Sequence, residues 1–93
     1  MSYKLNYTDR FKETMREMDR PEVIKILKKH EWVAQNAEQI QHERLKKPLS
    51  GLEKICKYRV GPYRVLYWID HTAREITAYD VLWRKGKYRG LYR

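Results

Sequence analysis

Seven residues in the C-terminal third have types suited to handling a phosphate chain: Lys57, Arg59, Arg64, Arg84, Lys85, Lys87 and Tyr88. Guanidinium and ammonium groups bring positive charge and N–H donors to phosphate oxygens, and a phenol ring stacks on a base. None of the seven has an acid beside it in the chain, so we expect cations without a neighbouring carboxylate. Strand geometry gathers three of them. Lys54 to Val60 and Tyr63 to Ile69 are rich in β-branched and aromatic residues and flank Gly61-Pro62, which reads as a hairpin with glycine first in a two-residue loop. With Val60 facing Tyr63, Arg59 faces Arg64, Tyr58 faces Val65, Lys57 faces Leu66 and Cys56 faces Tyr67. Opposed residues share a face and successive residues alternate. Cys56, Tyr58, Val60, Tyr63, Val65, Tyr67 and Ile69 then form a core face, and Lys57, Arg59 and Arg64 share the other with Leu66 and Trp68. Two arginines directly opposed destabilise a sheet by a few tenths of a kcal/mol, roughly. Stability gives no reason for that arrangement, whereas a bridging polyanion does; the plain alternative is a solvated basic face.

The whole chain leans the same way. Its 93 residues make one small domain, 1–93, and 21 Lys and Arg against 12 Asp and Glu leave a formal charge of +9. Such a charge points to a nucleic acid or an acidic protein as partner before an acidic membrane surface. No apolar run is long enough to span a bilayer and the first residues lack a signal-peptide core, so the expected setting is cytoplasmic, with no membrane partner. Cys56 is the single cysteine, which excludes an internal disulfide and a cysteine-based zinc site and suits a small buried hydrophobe. His30, His42 and His71 lack ligand spacing, no cofactor motif is present, and Asp80 reads as the partner of a nearby cation. Phosphate loops, serine elbows and paired carboxylates are missing from the sequence. RNA scission remains open to these residue types, because RNA carries its own 2′-hydroxyl nucleophile. A protein need only align it, stabilise charge at phosphorus and manage two protons. Arginine holds its proton at neutral pH, so Lys57, Lys87 or Tyr88 must exchange them.

The elements that position these groups follow from periodicity. Tyr3 to Tyr7 alternates as a short strand, and Thr8 or Asp9 caps a helix to about Met18 with Phe11, Met15 and Met18 inward. Asp19, Pro21 and Glu22 open a second helix in the manner of a capping box. Apolar residues at Val23, Ile26, Leu27, Val33, Ala34, Ala37 and Ile40 carry it to about Leu45. Lys47 to Gly51 is a loop, the hairpin follows, Asp70 to Arg74 is a turn, and Glu75 to Trp83 is a last strand. The tail from Arg84 to Arg93 interleaves cations with Tyr88 and Tyr92. The order is α+β, with an N-terminal strand and two helices on an antiparallel sheet completed by three C-terminal strands.

Ile55 to Asp70, then Val81-Leu-Trp-Arg84 and Tyr88-Arg89, resemble the RelE/ParE superfamily of bacterial and archaeal toxins. The most specific piece is Gly61-x-Tyr63-Arg64-Val65-Leu66-Tyr67. The resemblance implies a microbial RNase-type fold and, for the RelE branch, a toxin that cleaves messenger RNA in the ribosomal A site. It further implies a cognate antitoxin as partner beside ribosome and mRNA. By position it assigns Lys57 and Arg59 to protons and phosphate, Arg64 to the scissile phosphate, Arg84 to the family's arginine after the last strand, and Tyr88 to stacking or orienting the substrate. Lys85, Lys87, Trp83 and Arg89 become auxiliary RNA contacts. Pro62 replaces the usual Asp, which touches the turn. Arg59 stands where the best studied member type has lysine, which moves proton transfer to Lys57, and Trp83 stands where many members have His or Lys. The ParE branch keeps the fold and inhibits DNA gyrase; a non-catalytic basic nucleic-acid-binding module is the third reading. Arg64, Arg84 and Tyr88 favour the RelE branch.

Overall fold

The structure is a computed structural model, and it describes residues 2–47 and 50–83. Alternation sets the first element, β1 (Lys4–Tyr7), and Thr8 then turns the chain. The Thr8 hydroxyl accepts from the Phe11 amide at 3.0 Å and donates to the Tyr79 carbonyl at 2.6 Å. That one side chain caps α1 (Asp9–Arg16) and ties it to the last strand. Helix α2 (Arg20–Gln35) starts with Asp19 at the N-cap position and proline in the first turn. The Asp19 side chain makes no capping hydrogen bond, in contrast to the capping box expected; its carbonyl takes the Glu22 and Val23 amides instead.

The second helix stops ten residues short of Leu45. Asn36 ends it, its backbone N–H and its side-chain amide both donating to the Trp32 carbonyl, at 3.0 and 2.8 Å. A short polar side chain that bonds the preceding turn competes with continued helix. Ala37 and Ile40 keep helical spacing because one further turn carries them into the core. The chain then forms an unexpected strand, β2 (Glu43–Arg44), before β3 (Cys56–Val60), β4 (Tyr63–Asp70) and β5 (Glu75–Trp83).

The five strands lie in the order β1-β5-β4-β3-β2. β2, β3, β4 and β5 pair antiparallel and β1 runs parallel to β5, so the sheet is mixed. Both helices cover one face. There Tyr3, Val33, Ala34, Ala37, Cys56, Tyr67 and Ile76 form one cluster, and Phe11, Ile26, Val65, Ala78 and Val81 the next. Val81 and Ala78 are an odd number of residues apart, yet both face the helices. A β-bulge between Leu66 and Tyr67 resolves this, since β5 carries one extra residue, Tyr79, and its alternation reverses there. Opposite the helices, Leu66 and Leu82 are buried beneath Leu45 and Ile55. Asp80 is buried and accepts from Arg10 Nε at 2.9 Å, Thr14 Oγ1 at 2.7 Å and the Val81 amide at 2.7 Å. It is the cation partner its sequence position suggested.

Candidate nucleic-acid interface

The hairpin forms in the register that alternation implied. Gly61 has φ +57°, and proline at Pro62 holds φ negative, the combination of a type II′ turn whose twist matches its strands. The five pairs are Val60 with Tyr63, Arg59 with Arg64, Tyr58 with Val65, Lys57 with Leu66 and Cys56 with Tyr67. Arg59 and Arg64 thus project from one face near the turn, their Cβ atoms ~5 Å apart, and Lys57 stands ~7 Å back along β3. Arg59 is exposed; Lys57 and Arg64 are half-buried. Leu82 lies across from Arg64 on β5 and supplies an apolar floor.

The strand that the sequence did not announce alters this site. β2 pairs Glu43 with Lys57, and the Glu43 carboxylate lies 3.7 Å from Lys57 Nζ. The cation cluster therefore has an acid neighbour after all, brought by tertiary structure from fourteen positions upstream. Trp83 pairs with Tyr63, their rings edge to face at 5.1 Å, which sets it on the face opposite Arg64. Lys57, Arg59 and Arg64 are brought together on one surface. Arg84, Lys85, Lys87, Tyr88 and Arg89 lie outside the described residues.

Beneath the hairpin, the helix-covered face carries a polar seam that sequence patterning did not reveal. His30 is fully buried among Tyr7, Phe11, Tyr58 and Tyr67, and its Nδ1 shares a 2.7 Å hydrogen bond with the Tyr58 hydroxyl. Its Nε2 has no partner among the described residues. Burial holds the imidazole down to about 4. The Tyr58 phenol is pushed up, first by burial and then by Tyr67 and Tyr7, and the Tyr67 phenol first by burial and then by Cys56. None of these groups exchanges protons near neutrality; they support the hairpin from below. His42 bonds the Ala37 carbonyl through Nε2 at 2.7 Å and the Tyr67 hydroxyl through Nδ1 at 2.6 Å. Because a carbonyl only accepts, Nε2 bears the hydrogen and Nδ1 accepts from Tyr67. His71 shares a 2.8 Å bond with the Tyr3 hydroxyl. Three histidines that looked scattered thus each seat a tyrosine. Among the described residues, no group of three or more His, Cys, Asp or Glu is placed to hold a metal ion, and no helix is long and apolar enough to cross a membrane.

Chemically, the exposed face can bind an anionic chain through Arg59 and Arg64, with Lys57 the neighbouring group able to exchange a proton. Neither a family model nor a curated relative matches the sequence. Solved structures do. The toxin–antitoxin complex RelBE2 from Mycobacterium tuberculosis aligns at a TM-score of 0.76 over 92% of this chain and 95% of that one, at 16% identity. The isolated Escherichia coli RelE toxin aligns at 0.68, covering 95% and 89% at 17% identity. A RelE–RelB complex from Pyrococcus horikoshii aligns at 0.66, covering 95% and 100% at 15% identity. Among the described residues, the two helices and the mixed five-stranded sheet form the RelE-like α+β fold.

Proposed function

We propose that the chain is the toxin of a toxin–antitoxin pair and an endoribonuclease that cuts messenger RNA on the ribosome. The observation that carries this reading is the pairing of Arg59 directly opposite Arg64, with Lys57 on the same face. A stable sheet avoids such a pair, and an RNA backbone rewards it. The similarity to RelE toxins and their RelB complexes supports both the activity and a cognate antitoxin as partner.

In the proposed reaction the 2′-oxygen forms a bond to phosphorus and the bond from phosphorus to the 5′-oxygen breaks. The products are a 2′,3′-cyclic phosphate and a 5′-hydroxyl. Arg59 and Arg64 neutralise charge growing on the phosphate oxygens, worth about 100-fold or more per well-placed donor. The 2′-hydroxyl loses a proton and the leaving oxygen gains one; Lys57 is the proton carrier on this face, with Glu43 holding its ammonium in place. Arg84 and Tyr88 complete the site, Arg84 on the phosphate and Tyr88 against a base. Lys85, Lys87 and Arg89 extend the grip on RNA, whereas Trp83, paired with Tyr63 on the opposite face, takes no part in it.

Primer extension on a message in a translating extract tests the proposal. Cuts within codons are expected, abolished by Arg64→Ala and weakened by Tyr88→Ala. Intact message at doses that arrest growth would overturn it, and a supercoiling assay on gyrase would then examine the other branch of the superfamily.

A further inference from the structure

At the end of the hairpin away from its turn, where β3 enters the sheet and β4 leaves it, the surface folds into a cleft of about 660 Å³. That size suits a small ligand. Trp68 and Tyr79 contribute half-buried rings 6.1 Å apart and inclined at 52°, and Leu52 closes one side. Arg44 and Lys54 line the same cleft and are exposed. The catalytic arrangement proposed above uses none of these residues.

Aromatic faces beside cations are what an unstacked base and its phosphate require. Tyr79 is held in position for that task. Arg10 lies 5.4 Å over its ring and donates to its hydroxyl at 3.2 Å, and Arg10 is itself fixed by buried Asp80 at 2.9 Å. Asp70, the acid in the lining, accepts from the Ala73 amide at 3.0 Å. Trp68 is four residues along β4 from Arg64 and shares its face, a separation of ~13 Å. About four stacked nucleotides cover that distance, fewer when unstacked.

We propose that this cleft binds one unstacked RNA nucleotide, its base against Trp68 and Tyr79 and its phosphates against Arg44 and Lys54. The inference rests on the RNA-directed reading above. Message and ribosomal RNA both carry this chemistry, so the test separates them. Affinity for a short unstructured RNA and for isolated ribosomes is measured with the full chain as wild type, Trp68→Leu, the Arg44→Ala/Lys54→Ala double variant, and Arg59→Ala. Thermal melting confirms that each variant is folded; the double variant alters exposed side chains only, so it carries the test if Trp68→Leu does not fold.

Trp68→Leu should weaken binding between about 5- and 150-fold, the range for one stacked base. The double variant should lower the slope of log affinity against log salt by about 1.4, since each cation that neutralises a phosphate of a single strand adds roughly 0.7 to that slope. Weaker binding of the free RNA assigns the nucleotide to message, and weaker binding of ribosomes alone assigns it to ribosomal RNA; either supports the cleft. Wild-type binding of both RNAs by the cleft variants, with binding weakened by Arg59→Ala, overturns the cleft and leaves the proposed function standing. If wild type binds neither, both fall.

Discussion

Replacing Arg59 should make the protein more stable while making it a poorer RNA binder. Arg59 faces Arg64 across the β3–β4 ladder and is exposed, so Arg59→Gln removes a charge without opening the core. Two like charges ~7 Å apart in high-dielectric surroundings repel by about 0.6 kcal/mol, and screening at physiological ionic strength leaves about 0.3 kcal/mol. For a domain of this size the unscreened repulsion corresponds to a melting temperature about 2–5 °C higher at low salt, and the screened one to about 1–2 °C. Salt dependence isolates the charge from any change in strand propensity. The gain should shrink toward zero at 1 M salt, where the screening length is about 3 Å. Thermal melts of wild type and variant at low and high salt are the assay, with RNA affinity measured on the same samples. A variant that melts below wild type at low salt, or whose advantage persists at 1 M salt, would refute the idea that the opposed arginines are retained against stability. So would a variant that gains stability and keeps full RNA affinity, because the pair would then have no use that this face explains.

Three further outcomes follow from buried or strained groups. His30 has its folded value held down to about 4, against about 6.5 when unfolded, so the unfolded chain binds the extra proton between these values. Stability should therefore be complete above pH 6.5 and fall by roughly 3 kcal/mol as pH drops toward 4, a slope that His30→Gln should flatten in urea titrations. Asp80→Asn keeps the shape of a side chain fully enclosed by the Arg10, Thr14 and Val81 donors but turns one acceptor into a donor; about 3 kcal/mol should be lost, read as a lower urea midpoint with unchanged slope. Gly61→Ala meets open space but must keep φ +57°, so about 1–2 kcal/mol should be lost from backbone strain, and Gly61→Asn should recover part of it.

These groups also mark where the sequence could and could not be read. All five pairs of the β3–β4 hairpin were legible, because alternation, a Gly-Pro loop and their shared register lie within sixteen consecutive residues. The basic face came with them, since strand pleat alone decides which side Lys57, Arg59 and Arg64 take. The end of α2 was not legible. Ala37 and Ile40 keep helical spacing, and the bond from Asn36 back to Trp32 that breaks the helix is a competition between two local structures. β2 rests on two residues that acquire strand geometry only by pairing with the edge of β3, so nothing in Glu43 or Arg44 announces it. That silence is why Lys57 looked clear of any acid. The parallel pairing of β1 with β5 depends on the route of two helices and a loop, and the bulge at Tyr79 reverses an alternation that the sequence shows as continuous. The cleft draws on two of these, the unannounced strand and the bulge. Arg44 comes from the unannounced strand, Lys54 from the entry to β3, Trp68 from β4, and Tyr79 is the extra residue of the bulge. Segments so far apart share no period, and their common surface exists only after the sheet has closed.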